Sequence, residues 1–426
     1  MSVARYLRAQ KIPFAVTDSR AAPPELDALR LIAPDVVIRT DGFDVSLLND
    51  VNEVIASPGV SLREPILVEA QKRGLPVIGD IELFARATQT PVVAITGTNG
   101  KSTVTTLVAL MAQACGLRAF AGANLGRPAL DLLQESPADL FVLELSSFQL
   151  DTTYSLKTKT ATVLNVTSDH MDRYDSMLDY AHAKAKAFNH CECAVTNRDD
   201  ELVMAMPRNG QRTLSFSVKH NDADYSTMQT ANEIVLVAHG RPLVNMTQIK
   251  LAGMHNVANA LAALAMCEAL QLDLKTCVQT LKEFVGLPHR SQWVADINGV
   301  RYIEDSKGTN VGATLAAVQG MSGPLIVIAG GQGKGQDFTP LAPAFRNKVR
   351  CAVLLGQDAS QINAVLKNVC ETKFVSSMEE AVVAAARIAQ QGDTVLLSPA
   401  CASLDMFRDY AHRGDVFVNA VRGLNP

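Results

Sequence analysis

The chain has 426 residues, 48% of them hydrophobic and 19% charged, which is enough for about three domains with full-sized cores. Its formal net charge of -4 and the lack of a basic run argue against nucleic acid as the main partner. No apolar run approaches the roughly 20 residues that cross a bilayer, and the eight scattered cysteines lack zinc-ligand spacing. We therefore expect a cytoplasmic protein with neither a membrane nor a nucleic-acid partner. Separately, we expect a monomer.

Strand-like apolar runs alternate with helical patterns along nearly the whole chain, which predicts α/β domains with mainly parallel sheets. The first unit, residues 1–80, starts with a helical pattern in SVARYLRAQ, followed by a strand pattern. A Rossmann-like unit normally begins with a strand and a glycine turn ahead of that helix. We therefore expect a truncated Rossmann-like domain, whose first strand and glycine turn have been lost or precede the assigned start.

The second unit, residues 81–286, begins with a glycine turn between a buried strand and a helix, in VVAITGTNGKSTVTTLVAL. This turn is shorter than the usual Walker pattern. Gly97 and Gly100 can adopt positive φ and direct backbone N–H groups toward one point, near the positive end of the helix. Lys101 can reach the β- and γ-phosphates of a nucleotide, and the Ser102 hydroxyl can bind magnesium. The alternative is a plain turn whose hydroxyls cap a helix.

Two further strands of this unit end in polar residues. Glu144 ends the apolar run DLFVLE, at the position where α/β sheets carry ligand residues. We interpret it as a magnesium ligand rather than a helix cap. Asp169, His170 and Asp172 follow the next strand. A lone histidine is more often structural, and imidazole is softer than the ligands that magnesium prefers, so His170 gains a role only from a wider pattern.

The remainder of the chain continues the α/β alternation. Between residues 193 and 249, short apolar segments alternate with polar turns, which predicts a β-rich insertion before the helix HNVANALAALAMCEAL. Gly286 in VGLPHR marks the next break. The third unit, residues 287–426, contains a predicted helix from Val311 and an alanine-rich helix near Val382. We expect it to form a second doubly wound domain.

Ten motifs in a fixed order resemble those of the Mur ligases of peptidoglycan synthesis, from about Tyr6 to the C-terminus. GTNGK by itself points only to the superfamily, which also contains folylpolyglutamate synthases, whereas the last three motifs point to the branch that adds D-glutamate. The motifs are GTNGKST, AGANLGRP, ELSSFQL, NVTSDHMDRY, YAHAKAK, GMHNVANALAA, PHR, EDSKGTN, GGQGKGQDF and SPACASLDMF.

The resemblance implies an ATP- and magnesium-dependent ligase with an N-terminal Rossmann-like, a central P-loop ATPase-like and a C-terminal Rossmann-like domain. Two magnesium ions are implied: Ser102 and Glu144 would bind the first, and His170 and a carbamylated Lys184 would bind the second. Lys101, on the γ-phosphate, is catalytic together with His170 and Lys184. The implied ATP-binding residues are Gly97, Thr98, Asn99, Gly100, Lys101, Ser102, Thr103, Asn259, Arg290 and Asp305.

Two lysines of YAHAKAK compete for the carbamate. The YxxAK pattern of the family matches Tyr180, Ala183 and Lys184, which favours Lys184. Two positions apart on a helix, Lys184 and Lys186 point about 200° apart, so only one can face the site. Carbamylation requires a neutral amine and produces an anionic oxygen ligand that magnesium accepts. For Lys186, a solvated helix lysine remains the alternative.

The implied substrates are UDP-N-acetylmuramoyl-L-alanine and D-glutamate, whose two carboxylates need cations and donors at both ends. Tyr410 stands where the family has phenylalanine, and a backbone contact would survive that change. The implied substrate-binding residues are Ser19, Arg20 and Gly59 for the UDP part, Asn124 near the phosphates and the substrate carboxylate, and Lys307, Thr309, Lys334, Ser403 and the backbone around Tyr410 for D-glutamate.

Several of these residues would have ordinary interpretations without the resemblance. Asn124 would be a turn residue, and Asn259, at the beginning of an apolar helix, would be a cap. Arg290 and Asp305 would be surface ion-pair partners of little energetic value. Lys334, in a glycine-rich turn, would be a solvated loop lysine.

The implied reaction is amide formation driven by ATP: the substrate carboxylate attacks the γ-phosphate, and the amine of D-glutamate attacks the resulting acyl phosphate. Because water must be kept from the acyl phosphate, we expect the third domain to close over the site, with hinges near Asp80 and Gly286. Three alternatives remain: another ligase of the superfamily, a nucleotide-binding regulatory protein without catalysis, and a simple P-loop ATPase.

Overall fold

The computed structural model describes residues 1–135, 137–230, 233–251, 253–321 and 323–424. The helices are α1 (Ser2–Ala9), α2 (Leu26–Ile32), α3 (Pro65–Lys72), α4 (Asp80–Ala87), α5 (Lys101–Ala114), α6 (Ala129–Leu132), α7 (Ser147–Asp151), α8 (Met177–Ala185), α9 (Glu201–Met204), α10 (Met254–Ala269), α11 (Leu274–Glu283), α12 (Val311–Gly320), α13 (Leu341–Phe345), α14 (Ala359–Leu366), α15 (Met378–Ile388) and α16 (Tyr410–Arg422).

The strands are distributed over four sheets. They are β1 (Val16–Thr17), β2 (Ile38–Arg39), β3 (Val54–Ile55), β4 (Val77–Ile78), β5 (Val92–Thr96), β6 (Ala119–Ala123), β7 (Leu140–Glu144), β8 (Thr158–Val163), β9 (Cys191–Asn197), β10 (Arg212–Phe216), β11 (Tyr225–Gln229), β12 (Ile234–Ala238), β13 (Arg241–Asn245), β14 (Gln292–Ile297), β15 (Val300–Glu304), β16 (Leu325–Gly330), β17 (Val349–Leu355), β18 (Glu371–Phe374) and β19 (Thr394–Leu397).

The first unit begins with a helix, which confirms the predicted order of helix before strand. Its short strands form two parallel pairs, β1 with β2 and β3 with β4. Within the described residues no strand joins the two pairs. Ile66 and Leu67 on the inner face of α3 pack in one buried cluster with Val77 of β4. The unit is therefore a small Rossmann-like layer of helices on parallel strands.

The second unit is built on a nine-stranded sheet with the order β13-β12-β11-β10-β9-β8-β5-β7-β6. The predicted β-rich insertion is confirmed, because β10 to β13 lie between residues 193 and 249 and extend this sheet with an antiparallel edge. Every residue of β5 is buried, as expected for a parallel strand covered by helices on both faces. β7 and β8 flank β5 in parallel, so the chain segments that follow these three strands meet at one edge of the sheet.

The third unit is a six-stranded sheet with the order β14-β15-β19-β16-β17-β18. All neighbours are parallel except the β14–β15 hairpin. The sequence did not predict β14, which lies at the sheet edge and is exposed or half-buried along its length. α12 begins at Val311 as predicted, and α15 contains Val382. The expected doubly wound domain is confirmed, with one antiparallel edge strand added.

Among the described residues, no helix is both long enough and apolar enough to cross a membrane.

Candidate active site

The glycine turn after β5 has the backbone conformation that the sequence predicts. Gly97 has φ 142° and Gly100 has φ 87°, a region that disfavours side chains. A Cβ atom on Gly97 would lie 3.0 Å from Leu164 Cβ. The segment after β8 holds the turn from the side: the Asn165 carbonyl accepts from Thr98 N at 2.9 Å, and Asn165 Oδ1 accepts from Asn99 N at 2.8 Å. Its amides are thus fixed at the N-terminus of α5.

Two lysines converge on this turn. Lys101 Nζ donates to the carbonyl oxygens of Gly97 and Thr98, both at 2.9 Å. Lys184, on α8, is buried and its Nζ donates to the same Gly97 oxygen at 3.0 Å. Burial lowers the pKa of Lys101, and burial followed by the nearby Lys101 charge lowers the pKa of Lys184 well below its usual value. Both effects shift the protonation equilibrium of Lys184 toward the uncharged amine.

Lys186 faces a different part of the protein. Its Nζ donates to Asp151 Oδ1 at 2.7 Å, and the side chain is partly exposed. This is the outcome of helix geometry, since residues two positions apart on α8 and its continuation point in different directions. Of the two competing lysines, Lys184 lies at the phosphate turn and Lys186 forms an ion pair away from it.

Glu144 provides a buried carboxylate at the end of β7. Its Oε1 accepts from Asn124 Nδ2 at 2.6 Å, and Asn124 N donates to the Glu144 carbonyl at 3.0 Å. Glu144 Oε2 is buried and has no hydrogen-bond partner in the part of the chain that the structure describes. A buried carboxylate oxygen without a partner is costly, and a bound cation would satisfy it. Asn124 thus orients the carboxylate while leaving this oxygen available.

His170 lies beside Lys184 on the aromatic ring of Tyr180. The His170 ring is 6.4 Å from the Tyr180 centroid and 4.9 Å from that of Phe148, while Lys184 Nζ is 4.4 Å from the Tyr180 centroid. His170 has φ 57°, which is uncommon for a non-glycine residue and occurs often at functional sites. Burial lowers its pKa despite the neighbouring Asp169. A neutral imidazole can act as a metal ligand.

The third unit contacts the phosphate turn directly. Arg290 Nη2 donates to Ser102 Oγ at 2.7 Å. Asn310, at the start of α12, donates from Nδ2 to Asn99 Oδ1 at 3.3 Å and to Asp169 Oδ2 at 3.2 Å. Two side chains of the third unit therefore hold the turn and the segment after β8 in one arrangement.

Asp305 lies beside Arg290 in the same unit. Its Oδ1 accepts from Ser291 N at 3.0 Å and its Oδ2 accepts from Ser398 Oγ at 3.0 Å. Burial raises the pKa of Asp305 to about 7, although both hydrogen bonds and the Arg290 charge act in the opposite direction. A carboxyl group with this pKa can exchange a proton near neutrality.

A cavity of about 260 Å³ lies between the second and third units. The phosphate turn forms one wall, the first turns of α10 form a second, and α12 forms a third. His255 and Asn259 of α10 line it together with Phe216, Ala313 and Arg290. Its size, mixed lining and position beside the turn suit a nucleoside.

The expectation that Asn259 begins a helix is wrong. α10 starts at Met254 after Gly253, so Asn259 lies in the second helical turn and cannot be its cap. It donates from Nδ2 to Asn256 Oδ1 at 3.3 Å. The predicted helix HNVANALAALAMCEAL starts at His255, one residue from the observed start, and it already places Asn259 in the second turn, so the interpretation of Asn259 as a cap conflicted with the pattern itself. In this position, the Asn259 side chain lies against Gly100 and lines the cavity.

The residues implied for D-glutamate lie at the carboxyl ends of the third unit's strands. Lys307 Nζ is 3.7 Å from the Tyr410 ring centroid, and burial lowers the pKa of Lys307 to about 8. Thr309 follows in the same loop, Ser403 is buried, and Lys334 is exposed with φ 54°. The nearby Lys334 charge contributes to the lowered pKa of both Lys307 and His170.

Of the three residues implied for UDP binding, Gly59 contacts the second unit near His170. Arg173, which follows His170 in the chain, donates to the carbonyl oxygens of Gly59 at 3.2 Å and Val60 at 3.1 Å. Arg20 instead forms a two-point pair with Asp18 on the exposed surface, and Ser19 is exposed. The hydrogen bonds of Arg20 join it to Asp18 and Asp41, both within the first unit.

Sequence reasoning missed four residues of the site. Asn165 clamps the turn, Asn310 bridges two units, Arg173 reaches the first unit, and His255 lines the cavity. All four lie in motifs shared with the Mur ligases, NVTSDHMDRY, EDSKGTN and GMHNVANALAA. Their polar character within these motifs is the signal that could have identified them.

The donor set fits a magnesium ion shared with phosphate oxygens. The described residues contain no group of three or more His, Cys, Asp or Glu side chains that could hold a metal by themselves. Magnesium commonly uses one or two protein ligands together with substrate phosphates and water. The free oxygen of Glu144 and the Ser102 hydroxyl, beside the turn, match that mode.

In an ATP-dependent ligase of the P-loop type, a phosphate turn faces a cavity that a further α/β domain completes. This chain has that arrangement. Three family models match the chain: "Mur ligase MurD-like, N-terminal domain" over residues 1–79, "Mur ligase middle domain" over 95–267, and "Mur ligase, glutamate ligase domain" over 289–401. With the full-length relatives described next, these matches establish that the chain belongs to the Mur ligase family.

Curated relatives are similar over almost the whole chain. The UDP-N-acetylmuramoylalanine--D-glutamate ligase of Nitrosococcus oceani is 48% identical, over 99% of this chain and 94% of that protein. The enzymes of the same name from Methylococcus capsulatus and Methylobacillus flagellatus are 49% and 47% identical, over 100% of this chain and 92% and 94% of those proteins.

Solved structures share the fold at low sequence identity. UDP-N-acetylmuramate-alanine ligase MurC from Thermotoga maritima has a TM-score of 0.62 at 19% identity, with 100% of this chain and 96% of that chain covered. MurF from Acinetobacter baumannii has a TM-score of 0.64 at 17% identity, with 96% and 85% covered. These similarities concern the three-domain architecture.

Proposed function

We propose that this ATP-dependent ligase joins D-glutamate to UDP-N-acetylmuramoyl-L-alanine, through an acyl phosphate, in the cytoplasmic synthesis of peptidoglycan precursors. The single observation that supports the proposal is the contact between the second and third units, in which Arg290 donates to Ser102 of the phosphate turn. The residues implied for D-glutamate binding lie in the third unit with Arg290. The relatives that bear this enzyme name, at 47–49% identity, support the choice of substrates.

ATP would lie between the second and third units. The amides of Gly97 to Thr103 and the N-terminus of α5 would hold its phosphates, with Lys101 moving from its carbonyl partners onto the γ-phosphate. The cavity lined by His255 and Asn259 would hold the nucleoside. Arg290 and Asp305 would contact the nucleotide from the third unit.

We assign magnesium to two positions. Ser102 Oγ and the unpartnered Oε2 of Glu144 would hold one ion, and His170 and a carbamate on Lys184 would hold the other. When bound, the ions neutralise negative charge on the transferring phosphoryl group. The lowered pKa of Lys184 supports carbamylation, because the neutral amine is the form that adds to carbon dioxide.

The chain's own groups orient the two chemical steps. Asn124 and Lys101 would bring the carboxylate of the sugar-linked alanine in line with the γ-phosphate, giving the acyl phosphate and ADP. The amine of D-glutamate then attacks the acyl carbon, and a tetrahedral intermediate expels inorganic phosphate. The contacts of Asn310 with Asn99 and Asp169 would exclude water during these steps.

The D-glutamate pocket would lie between the loops of the third unit. Lys307 and Lys334 supply positive charge, and Thr309, Ser403 and the backbone near Tyr410 supply hydrogen-bonding groups. The Tyr410 carbonyl accepts from Ser306 Oγ at 2.7 Å, which fixes the start of α16 beside Lys307. A substrate contact made by the backbone of residue 410 would not depend on whether its ring is that of tyrosine or of phenylalanine.

The first unit would bind the UDP part through Ser19, Arg20 and Gly59. The contact between Arg173 and Gly59 supports a continuous path from the first unit to His170. We retain domain limits of 1–80, 81–286 and 287–426, with hinges near Asp80 and Gly286. The positive φ of Gly286, 91°, supports a turn at the second hinge.

Phosphate release from MgATP and UDP-N-acetylmuramoyl-L-alanine tests the proposal, with D-glutamate, L-glutamate or no amino acid added. We expect release only with D-glutamate. Release with a different amino acid would indicate another ligase of the family, and equal release without any amino acid would indicate a simple ATPase. Binding of ATP with no release under every condition would favour a regulatory protein.

A further inference from the structure

Three cysteines that are far apart in the sequence meet on the helices of the second unit. Cys115 directly follows α5, Cys267 lies on α10 and Cys277 lies on α11. The Sγ atoms of Cys115 and Cys277 are 4.0 Å apart, across 162 positions of sequence. Cys267 Sγ donates to Met111 Sδ at 3.5 Å, on the inner face of α5. We call Cys115, Cys267 and Cys277 the thiol cluster.

Access to the thiol cluster is asymmetric. Cys115 is partly exposed, whereas Cys267 and Cys277 have no exposed surface. A small reagent can therefore reach Cys115 first, and Cys277 lies directly behind it. Cys191 is also partly exposed, but its Sγ donates to the Cys193 carbonyl at 3.1 Å. Cys277 has two thiol neighbours, the partly exposed Cys115 at 4.0 Å and the buried Cys267.

The pKa shifts in the thiol cluster favour Cys277 as the second nucleophile, whereas Cys115 reacts first because it is the exposed thiol. Hydrogen bonding from the Cys267 thiol, and then from that of Cys115, lowers the pKa of Cys277. Burial raises the pKa of Cys115. Since the thiolate is the attacking species in exchange reactions, Cys277 is the better internal nucleophile.

We propose that Cys115 and Cys277 are a reversible oxidation site, at which exchange with a low-molecular-weight disulfide produces an intramolecular disulfide. Cys115 thiolate attacks one sulfur of the reagent, whose S–S bond breaks and releases one small thiol. Cys277 thiolate then attacks Cys115 Sγ and releases the second small thiol. The two protein thiols lose two electrons and two protons in total, and the reagent gains them.

The geometry requires a modest movement. The sulfur atoms, 4.0 Å apart, must approach to the roughly 2 Å of a disulfide bond. Cys115 lies just beyond the end of α5, where the backbone is no longer fixed by helix on both sides. The bond would connect the helix that starts at Lys101 to the helix that precedes the linker at Gly286.

Two consequences follow for the protein. α5 has 14 residues, so the thiol cluster lies about 20 Å from Lys101, and the phosphate turn should keep its geometry. The bond would close a loop of more than 160 residues, which restricts the unfolded chain and raises the melting temperature.

The test uses the full chain and oxidised glutathione, followed by digestion without reductant and mass spectrometry. We expect one dominant cross-linked peptide pair that contains Cys115 and Cys277, and its loss when a reductant is added. The Cys277→Ser variant should instead accumulate glutathione on Cys115, because no thiol remains to displace it. The Cys115→Ser variant should form neither product within the thiol cluster.

Cys191→Ser is the matched control, since Cys191 is also partly exposed but lacks a thiol contact. This variant should form the Cys115–Cys277 pair in the same yield as the unmodified sequence. Accumulation of glutathione on Cys115 in the unmodified sequence, without cross-linking, would overturn the proposal. So would cross-links spread evenly over other cysteine pairs. Because the readout is a covalent bond, it is independent of the proposed ligase reaction.

Discussion

Lys101 and Lys184 donate to one oxygen atom, the carbonyl of Gly97, at 2.9 and 3.0 Å. Two ammonium groups that share an acceptor in a buried position repel each other. The lowered pKa of Lys184 is the expected response. Conversion of Lys184 to an anionic carbamate would replace this repulsion by attraction to Lys101, so the relationship supports a role for Lys184 at the phosphate turn.

Replacement of Lys184 by alanine should lower D-glutamate-dependent phosphate release by about 100-fold or more, the scale found when a group that stabilises charge is removed. A short carboxylic acid added to this variant should restore part of the rate, because it can supply the missing oxygen ligand. The measurement is initial rate against acid concentration. Lack of rescue with an intact fold would contradict the carbamate.

Lys186→Ala is the control for that experiment. Lys186 bonds to Asp151, and both side chains retain some exposure. Loss of this screened pair should cost less than about 1 kcal/mol in unfolding free energy, and the rate should stay close to that of the unmodified protein. A rate loss equal to that of Lys184→Ala would show that the two lysines had been assigned the wrong way round.

Replacement of Glu144 by glutamine should weaken the response to magnesium while leaving the fold intact. Glutamine keeps an oxygen for Asn124 Nδ2, but it removes the charge from the buried Oε2 position. We expect the magnesium concentration for half-maximal rate to rise by about tenfold or more, as when a metal-site contact is lost. Magnesium titration of the rate measures this change.

Glu82→Gln provides the comparison for Glu144. Glu82 is also buried, but its oxygens accept from Tyr154 N, Ser155 N and Ser155 Oγ at 2.8, 2.9 and 2.8 Å. This variant should unfold at a lower denaturant concentration and keep its magnesium response. An equal magnesium shift in both variants would point to general destabilisation instead of a ligand at Glu144.

Replacement of Arg290 by lysine should reduce kcat/KM for ATP by about 10- to 100-fold, because lysine cannot reproduce the planar donor that reaches Ser102 Oγ. The bond between these side chains is 2.7 Å long. Steady-state rates over a range of ATP concentrations give the value. Arg350→Lys, at a residue that pairs with Asp393 inside the third unit, should leave kcat/KM unchanged; a matching loss there would refute the specific role.

His255 should make the protein sensitive to acid. Burial lowers the pKa of His255 from 6.5 to about 4, so the unfolded chain takes up a proton there before the folded chain does. The associated stability is present above pH 6.5 and is lost as the pH falls toward 4, by about 3 kcal/mol in total. Apparent urea midpoints at pH 7.5 and 4.5 test this sign.

The His255→Gln variant should show a smaller change in urea midpoint between the two pH values than the unmodified protein. His182→Gln, at an exposed position on α8, should show the same change as the unmodified protein. Equal pH sensitivity in all three proteins would rule out His255 as a source of acid destabilisation.

The sequence by itself determined the features that depend on local pattern. The all-apolar run of β5, the two glycines and the following helical pattern predicted the phosphate turn, and the turn has the expected φ values at Gly97 and Gly100. The strand that ends at Glu144 and the helix that begins at Val311 were predicted for the same reason. Side-chain periodicity and glycine freedom act over a few residues, so they can be read from the chain directly.

Tertiary structure decided which residues meet. The spacing of Lys184 and Lys186 required that they diverge, but only the packing of α8 against the sheet directs Lys184 toward Gly97. The start of α10 at Met254 put Asn259 inside the helix. The contact between Arg290 and Ser102 spans 188 positions. Such contacts depend on how helices, sheets and whole units pack together, and that arrangement is set by the burial of surfaces that are distant in sequence.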